Sequence, residues 1–191
     1  CGKQLGLSTT RGVDGMEDFT NKLQMLRIHQ LNMQRSRTVS NEVANLIRGN
    51  QIDIILAQEP YEYGGKVCCL GSTTAVVAIE DKESRPRAAI LYKKDRITAL
   101  KLSHISDSHC VVAQATGEFG SIYLISVYFQ YACSISEGIK KLEKALDAIG
   151  DRPAIIGIDT NASSPMWDPI CARRTQNDRR MARGRKMEEV I

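Results

Sequence analysis

Short apolar runs and runs with helical spacing follow one another along most of this chain. Apolar runs of strand length, bounded by polar or turn-forming residues, are typical of buried strands. The predicted strands are 25–31, 52–57, 75–79, 88–92, 97–102, 110–115, 122–127 and 154–158. The charged stretch 80–87 predicts a hairpin-like loop. Residues 1–24 are polar, Gly-rich and without periodicity, so we expect a flexible lead-in before a domain that spans 25–191.

Two helices are predicted at opposite ends of the folded region. Apolar residues at 39, 43, 46 and 47 have helical spacing, with Ser36 or Thr38 as the N-cap and Gly49 as the end of the helix. A last helix is expected to begin near Gly184.

A third helix is the most fully specified of the set. Ser134 and Glu137 have the spacing of a capping box, and Gly150 is placed to end the helix. The apolar face between them consists of Ile135, Ile139, Leu142, Leu146 and Ile149. The mixture of strands and helices predicts a fold of the α/β (α+β) class.

The composition is that of an ordinary folded protein, with 42% hydrophobic and 25% charged residues. No apolar run approaches the roughly 18–20 residues that cross a bilayer, so no membrane partner is expected. The chain begins without an initiator Met or a signal-peptide pattern, and we expect it to be a piece of something longer. Six cysteines without a Cys-x-x-Cys pair favour buried free thiols in a reducing, intracellular compartment over a structural zinc site.

The net charge of +4 is concentrated near the end of the chain. Between residues 171 and 187, seven basic side chains face a single acidic one, Asp178, for a local charge of +6. The basic residues are Arg173, Arg174, Arg179, Arg180, Arg183, Arg185 and Lys186. Such a patch on a near-neutral body suggests a polyanionic partner such as nucleic acid, although a solvated surface helix or loop is an open alternative.

Polar residues follow four of the predicted strands directly. They are Asn32, Glu59, Tyr128, Asp159 and Asn161. Ligand and catalytic groups collect just beyond strand ends, where a rigid sheet sets position and loops allow access. Each residue alone could serve a turn or packing role, but together they would form an oxygen-rich pocket that suits Mg²⁺.

The order of these segments resembles the endonuclease/exonuclease/phosphatase superfamily. The matching segments are Leu31-Asn32, Gln58-Glu59-Pro60, Val127-Tyr128 and Asp159-Thr160-Asn161-Ala162. The chain is more closely similar to the endonuclease domain of non-LTR (LINE-type) retrotransposons, through Trp167 and the stretch Arg183-Gly184-Arg185-Lys186. The resemblance covers about 25–191 and implies a four-layer α/β sandwich of two packed mixed β-sheets flanked by helices.

The resemblance also implies a role for each site residue. Glu59 would coordinate Mg²⁺, for which Mn²⁺ could substitute, and Asn32 would help to hold the metal and its water. Asp159 would orient and deprotonate the attacking water, while Asn161 and Tyr128 would bind the scissile phosphate. These roles agree with the chemistry, because negative charge builds on phosphate oxygens during phosphodiester hydrolysis.

The chain departs from the superfamily pattern in one respect. The pattern continues with a further aspartate and a Ser-Asp-His segment that have no match up to Ile191, so we expect a domain truncated at its C-terminus. The string Ser106-Asp107-Ser108-His109 precedes Asp159 and has one residue too many, so it is interpreted as a loop. The histidines expected to be surface or structural residues are His29, His104 and His109.

The function implied by the resemblance is a Mg²⁺-dependent endonuclease that nicks double-stranded target DNA in the nucleus. The resulting 3′-hydroxyl would prime copying of the element's RNA by a reverse transcriptase domain of the same polyprotein. An abasic-site endonuclease or phosphatase of the same superfamily is one alternative. A catalytically incomplete DNA-binding fragment is another. Segments 133–137 and 164–183 are candidates for reading the target sequence.

Overall fold

The structure, a computed structural model, describes residues 26–173 and 178–189. The predicted lead-in 1–24 therefore lies outside the described residues. Ten strands and three α-helices lie within the described ranges. The strands are β1 (Ile28–Asn32), β2 (Ile54–Gln58), β3 (Glu62–Tyr63), β4 (Lys66–Val67), β5 (Thr74–Val77), β6 (Ala88–Lys93), β7 (Thr98–Lys101), β8 (Cys110–Gly117), β9 (Gly120–Tyr128) and β10 (Ala154–Asp159). The helices are α1 (Arg37–Arg48), α2 (Ile135–Ile149) and α3 (Arg179–Glu188), with 3₁₀ turns at Ser103–Ile105 and Pro169–Arg173.

Two four-stranded sheets share one plan. Their strand orders are β1-β2-β6-β5 and β10-β9-β8-β7, and β3 and β4 form a separate small hairpin. In each large sheet one edge pair is parallel, β1 with β2 and β9 with β10, while the other neighbours are antiparallel. The parallel pairs end in register at Asn32 opposite Gln58 and at Asp159 opposite Tyr128. Four strand ends that carry polar residues are therefore presented together.

Three apolar clusters divide the molecule into four layers. Leu56, Ile90 and Leu124 belong to the cluster between the two sheets. A second cluster joins α1 to the outer face of the first sheet, and a third joins α2 and α3 to the outer face of the second. The runs of fully buried residues in β2 and β9 follow from this arrangement, because both strands are covered on two sides. The predicted four-layer α/β sandwich of mixed sheets is confirmed.

The first two helices largely follow the prediction from the sequence. Ser36 is the N-cap of α1, and its Oγ accepts a hydrogen bond from the Val39 backbone N–H at 3.3 Å. Gly150 ends α2 at a positive φ of 63°. The predicted capping box at Ser134 is not formed, since the Ser134 side chain makes no capping hydrogen bond.

The last helix begins earlier than predicted. Asp178 is its N-cap, and its Oδ1 accepts a hydrogen bond from the Arg180 backbone N–H at 2.8 Å. The prediction of a start near Gly184 was wrong because consecutive arginines conceal the apolar spacing, while the cap is a local hydrogen bond. Most strand boundaries moved by one to three residues, and the β3–β4 hairpin was not predicted because two-residue strands carry no periodicity.

Two further predictions can be compared with the described residues. No helix among them is long and apolar enough to cross a membrane. Among the described cysteines, Cys68, Cys69, Cys110 and Cys133 are free thiols. Cys110 and Cys171 are buried as predicted, but Cys133 is exposed. His29 is exposed on β1.

Candidate functional site

The five residues predicted for the site come together where the parallel strand pairs end. They are Asn32, Glu59, Tyr128, Asp159 and Asn161. An open cleft of about 280 Å³ lies there, and its lining includes Asn32, Asp159, Asn161 and Arg180. The convergence follows from the topology, because parallel neighbours end on the same side of a sheet and both parallel pairs lie on adjoining edges.

Asn32 joins the two acidic residues of the site. Its Nδ2 donates to Asp159 Oδ2 at 2.6 Å and to Glu59 Oε2 at 3.3 Å. Its Oδ1 accepts from the Gln34 backbone N–H at 2.8 Å, which assigns the orientation of the amide because a backbone N–H can only donate. Asn32 therefore holds two carboxylates close together, and its predicted role as a metal ligand stays a prediction.

Glu59 occupies a constrained turn just after β2. Its φ is +47°, a left-handed conformation that is uncommon for a residue with a side chain. The backbone is held on both sides, since Arg35 N donates to Glu59 O at 2.7 Å and Glu59 N donates to Arg87 O at 2.8 Å. Arg35 Nη2 lies 2.9 Å and Arg87 Nη1 4.0 Å from Glu59 Oε1. Neither arginine was predicted, because their approach depends on loops from different parts of the chain.

The segment after β10 folds into an Asx turn. Asn161 N donates to Asp159 Oδ1 at 3.0 Å, and Asn161 has a positive φ of 48°. The Asn161 Nδ2 donates to Phe129 O at 3.2 Å, which connects this turn to the end of β9. Both oxygens of Asp159 thus accept a hydrogen bond, one from Asn161 and one from Asn32, and the carboxylate is held in one orientation.

Tyr128 supplies a hydroxyl beside the acidic residues. Burial and the nearby Glu59 carboxylate raise the pKa of this hydroxyl, against an opposing hydrogen bond from Asn161. The hydroxyl is protonated at neutral pH, as tyrosine ordinarily is, and hydrogen bonds join it to the Glu59 and Asn161 side chains. The His109 ring lies against Tyr128, with ring centroids 6.4 Å apart, and His109 Nε2 is 3.0 Å from Gln130 Oε1.

His109 belongs to the loop that was predicted for residues 106–109. This loop lies between the 3₁₀ turn at Ser103–Ile105 and β8. The His109 ring packs against the Tyr128 ring, and His109 does not take the place of the histidine of a Ser-Asp-His segment. His104 is exposed, as predicted.

The prediction that Arg183 contacts DNA from the surface is corrected by its position. The residue is 4% exposed, and its guanidinium donates to main-chain carbonyls on every side. Its Nη2 lies 2.8 Å from Thr160 O and 3.1 Å from Phe129 O, and its Nη1 lies 2.9 Å from Cys133 O. Arg183 therefore packs α3 against the loop that carries the Asx turn and has no free face for a phosphate.

The structure describes some of the other basic side chains between residues 171 and 187 and leaves others outside the described residues. The exposed members are Arg179, Arg180, Arg185 and Lys186. Arg173 ends a 3₁₀ turn, but its side chain is not among the described ones, and Arg174 lies outside the described residues. The DNA-binding role of these residues stays a prediction.

Gln58 is a further residue of the site that was not predicted from the sequence. It is fully buried at the end of β2, and its Nε2 donates to Ser126 Oγ and to Gly157 O, both at 3.1 Å. Ser126 Oγ in turn donates to Ala57 O at 2.8 Å. These bonds join the two sheets directly beneath the site. A glutamine that ends an otherwise apolar run is the signal that could have indicated such a role.

The donor atoms of the site fit a hard divalent cation. Glu59 and Asp159 offer carboxylate oxygens, and Mg²⁺ in proteins is usually held by one or two carboxylates and several waters. Among residues 26–173 and 178–189, no three His, Cys, Asp or Glu side chains form a group that could hold a metal. The two carboxylates are oxygen donors of the kind that hard divalent cations prefer.

Comparison with known proteins places this geometry in context. No protein-family model matches the chain. A putative 115 kDa protein of the type-1 retrotransposable element R1DM of Drosophila melanogaster is 27% identical over 165 residues, which are 86% of this chain. The chain spans 16% of that protein's length.

Two solved structures share the fold. The endonuclease domain of TRAS1, a telomere-specific non-LTR retrotransposon, has a TM-score of 0.69 and 22% identity, covering 86% of this chain and 68% of that chain. A humanized D. rerio TDP2 has a TM-score of 0.52 and 17% identity, covering 73% of this chain and 64% of that one. The chain is thus similar in sequence to a retrotransposon protein and shares the fold of a retrotransposon endonuclease domain, as the resemblance predicted.

Proposed function

We propose that this chain, which has the fold of the TRAS1 endonuclease domain, is a DNA endonuclease that hydrolyses a phosphodiester bond. The observation that carries the proposal is the convergence of Asn32, Glu59, Tyr128, Asp159 and Asn161 at one cleft. These side chains supply a base, protonated donors and acidic oxygens, the groups that hydrolysis of a phosphate diester requires.

Asp159 is the general base in this proposal. The bonds from Asn32 and from the Asn161 backbone N–H hold its carboxylate in the cleft, so a water bound there meets an oriented acceptor. The water oxygen attacks phosphorus while its proton passes to Asp159. The bond from phosphorus to the 3′-oxygen breaks, and the leaving oxygen takes up a proton, so the products are a 3′-hydroxyl and a 5′-phosphate.

Tyr128 and Asn161 bind the phosphate oxygens. Tyr128 is suited to this role because its hydroxyl, protonated at neutral pH like that of any tyrosine, is held beside Glu59 and Asn161, and a fixed donor stabilises charge that builds on oxygen. Asn161 is held at the cleft by its own backbone turn and by Phe129 O. Their positions precede substrate binding, so little reorganisation is needed as the charge develops.

Glu59 would hold a divalent cation, Mg²⁺ or Mn²⁺, with Asn32 beside it. Bound there, the cation would supply positive charge against the phosphate oxygens. Arg35 and Arg87 stabilise the Glu59 carboxylate, and the tight turn at Glu59 aims it at the site. The acidic oxygens of the site are thus kept together by one amide and two guanidinium groups.

Double-stranded DNA is the proposed substrate. The exposed side chains Arg179, Arg180, Arg185 and Lys186 are available for phosphate contacts, and such binding weakens steeply with salt. The similarity to the R1DM protein and to the TRAS1 domain supports a role in a non-LTR element, where the 3′-hydroxyl primes reverse transcription of element RNA. A reverse transcriptase domain as partner and a nuclear location belong to the same proposal.

Nicking of supercoiled plasmid tests the proposed activity, with protein expressed from the complete open reading frame. Wild type and the exposed control Asp151→Asn are expected to form open circles with Mg²⁺ and not with a chelator. Asp159→Asn is expected to bind the plasmid but to nick it at least about 100-fold more slowly. If wild type binds the plasmid without nicking it, the result would indicate a DNA-binding module and contradict the proposed activity. Faster cleavage of abasic duplex than of intact duplex would indicate an abasic-site endonuclease.

A further inference from the structure

Tyr131 lies in the loop between β9 and α2 and is 39% exposed. Three guanidinium groups of α3 surround its ring, with Cζ atoms 4.9 Å (Arg179), 5.9 Å (Arg180) and 5.9 Å (Arg183) from the ring centroid. Arg179 Nη2 also donates to Ala132 O at 3.2 Å, which ties the helix to the loop. Tyr131, Arg179, Arg180 and Arg183 are called the Tyr131 cluster.

The Tyr131 cluster adjoins the proposed catalytic cleft. Arg180 belongs to both, because it lines the cleft together with Asp159 and Asn161. Arg183 links the Tyr131 cluster to the cleft, because its guanidinium donates to the carbonyl of Thr160, the residue between Asp159 and Asn161. Arg180 therefore connects the exposed Tyr131 ring with the lining of the cleft.

The chemistry of the cluster matches a nucleotide. Burial and the nearby Arg179 lower the pKa of Arg183, as expected where like charges are brought together. A phosphate chain relieves this repulsion, and exposed guanidinium groups bind phosphate well. An aromatic ring beside such groups is the arrangement on which unstacked bases are held by proteins that bind single-stranded nucleic acid.

We propose that the Tyr131 cluster receives a nucleotide beside the scissile phosphate, with its base stacked on Tyr131 and its phosphate held by Arg179 and Arg180. The proposal rests on the proposed endonuclease function. The physical reason for such stacking is that the side chains that would receive the phosphate, Asp159 and Asn161, are only partly exposed. A phosphate drawn down to them pulls its nucleotide away from regular stacking, and the ring replaces part of the stacking surface that the duplex loses.

Two probes separate base stacking from phosphate contact. A short oligothymidylate carries bases, and an abasic oligonucleotide of equal length carries the same phosphates without them. Wild type is expected to bind the oligothymidylate roughly 10-fold more tightly, and Tyr131→Phe to keep this preference. Tyr131→Ala is expected to bind both probes equally. Leu100→Ala, an exposed residue of β7 at the far edge of the second sheet, is the control.

The arginines are expected to behave differently from the ring. Arg179→Gln and Arg180→Gln should weaken binding of both probes alike and reduce the slope of log Kd against log salt by about one each. Tyr131→Ala should leave that slope unchanged, because it removes no charge. A far-ultraviolet circular dichroism spectrum equal to that of wild type shows that each variant is folded.

Failure of this inference is distinguishable from failure of the proposed function. A base preference that survives in Tyr131→Ala, or equal binding of the two probes by wild type, overturns the inference, whatever the nicking assay shows. A wild-type protein that nicks no DNA overturns the proposed function, even where the base preference is present. If wild type nicks and Tyr131→Ala nicks the same positions at the same rate, the inference fails alone.

Discussion

Two carboxamides organise the acidic part of the site. Asn32 places donor hydrogens between the carboxylates of Glu59 and Asp159, and Asn161 uses its backbone and side chain to hold the end of β10. Neighbouring carboxylates repel one another, and an amide that donates to both offsets part of that repulsion without adding charge. The closeness of the two acids thus depends on a neutral residue.

Asn32→Asp tests this role with almost no change of shape. A carboxylate at position 32 cannot donate to Asp159 or Glu59 and adds a further negative charge, so nicking is expected to fall about 100-fold or more. Asn45→Asp on the exposed face of α1 is the matched control and should nick like wild type. Nicking rates at saturating plasmid are the measurement, and an active Asn32→Asp protein would contradict the role.

Arg183 is a positioning residue, and its conservative variant separates positioning from DNA binding. A lysine cannot reach three carbonyls that now accept from one guanidinium, so Arg183→Lys should let the Asp159–Asn161 turn shift. We expect kcat for nicking to fall about 10-fold while KM changes less than about 3-fold. Arg185→Lys, on the exposed side of α3, is the control. A raised KM with unchanged kcat would instead indicate direct DNA contact.

At the scale of secondary structure, the loop before β8 is tied to helix α2. Asp107 accepts hydrogen bonds from the backbone amides of His109 and Cys110 at 2.7 and 2.9 Å, and Lys141 of α2 lies 2.6 Å from it. This loop also supports the site, because the backbone carbonyl of His109 accepts a hydrogen bond from the Tyr128 backbone N–H at 2.8 Å. The tie between α2 and the loop therefore supports the end of β9.

The interactions of Asp107 with Lys141 and with the two backbone amides make the free energy of unfolding depend on pH. Burial opposes ionisation of Asp107, but the bonds from Lys141 and the two backbone amides outweigh it, and the pKa is lowered overall. A lowered folded-state pKa contributes stability above the unfolded pKa, and this stability is lost as the pH falls through the folded value. Wild type should therefore exceed Asp107→Asn in Tm at about pH 7, and the gap should close below about pH 4. A gap that persists at low pH, or that Asp151→Asn reproduces, would contradict this origin.

At the scale of the whole molecule, the two sheets meet across an apolar core, with a few polar links beneath the site. Each sheet contributes one parallel pair to the site edge, and Gln58, Ser126 and Gly157 link the pairs beneath it. Gly157 allows the close approach, because an added Cβ would lie 2.6 Å from Leu56 Cβ and 3.1 Å from Gln30 Cγ. The spacing of the two sheets at the site is thus set by a residue without a side chain.

Gly157→Ala should force the sheets apart at this point. Overpacking of this kind typically costs about 1–3 kcal/mol in the free energy of unfolding. Because Gly157 is two residues from Asp159, nicking is expected to fall as well. Ile156→Val changes the neighbouring, more exposed side chain of the same strand and should leave stability and nicking nearly unchanged. Urea denaturation and plasmid nicking measure the two effects, and a fully stable, active Gly157→Ala protein would contradict the argument.

The sequence by itself determined the elements and the order of the site residues, because both are local properties. Continuous apolar runs specified β2 and β9, and the polar residue after each strand was readable from its position alone. The five predicted site residues lie together at one cleft, and their roles stay predictions. Gln58 and Arg35 were missed because their partners, Ser126 and Glu59, are distant in sequence and meet them only after the sheets pack.

Only the tertiary structure decided what the basic segment does. Arg183 and Arg185 are two residues apart on one helix and look equivalent in the sequence, yet Arg183 is buried and Arg185 is exposed. Residues two apart point to different sides of a helix, and the inward side depends on where α3 docks. In the docked position the Arg183 guanidinium donates to the carbonyl oxygens of Thr160, Phe129 and Cys133. A long-range hydrogen-bond requirement, which the charge pattern does not show, separates the buried Arg183 from the exposed basic residues of the same helix.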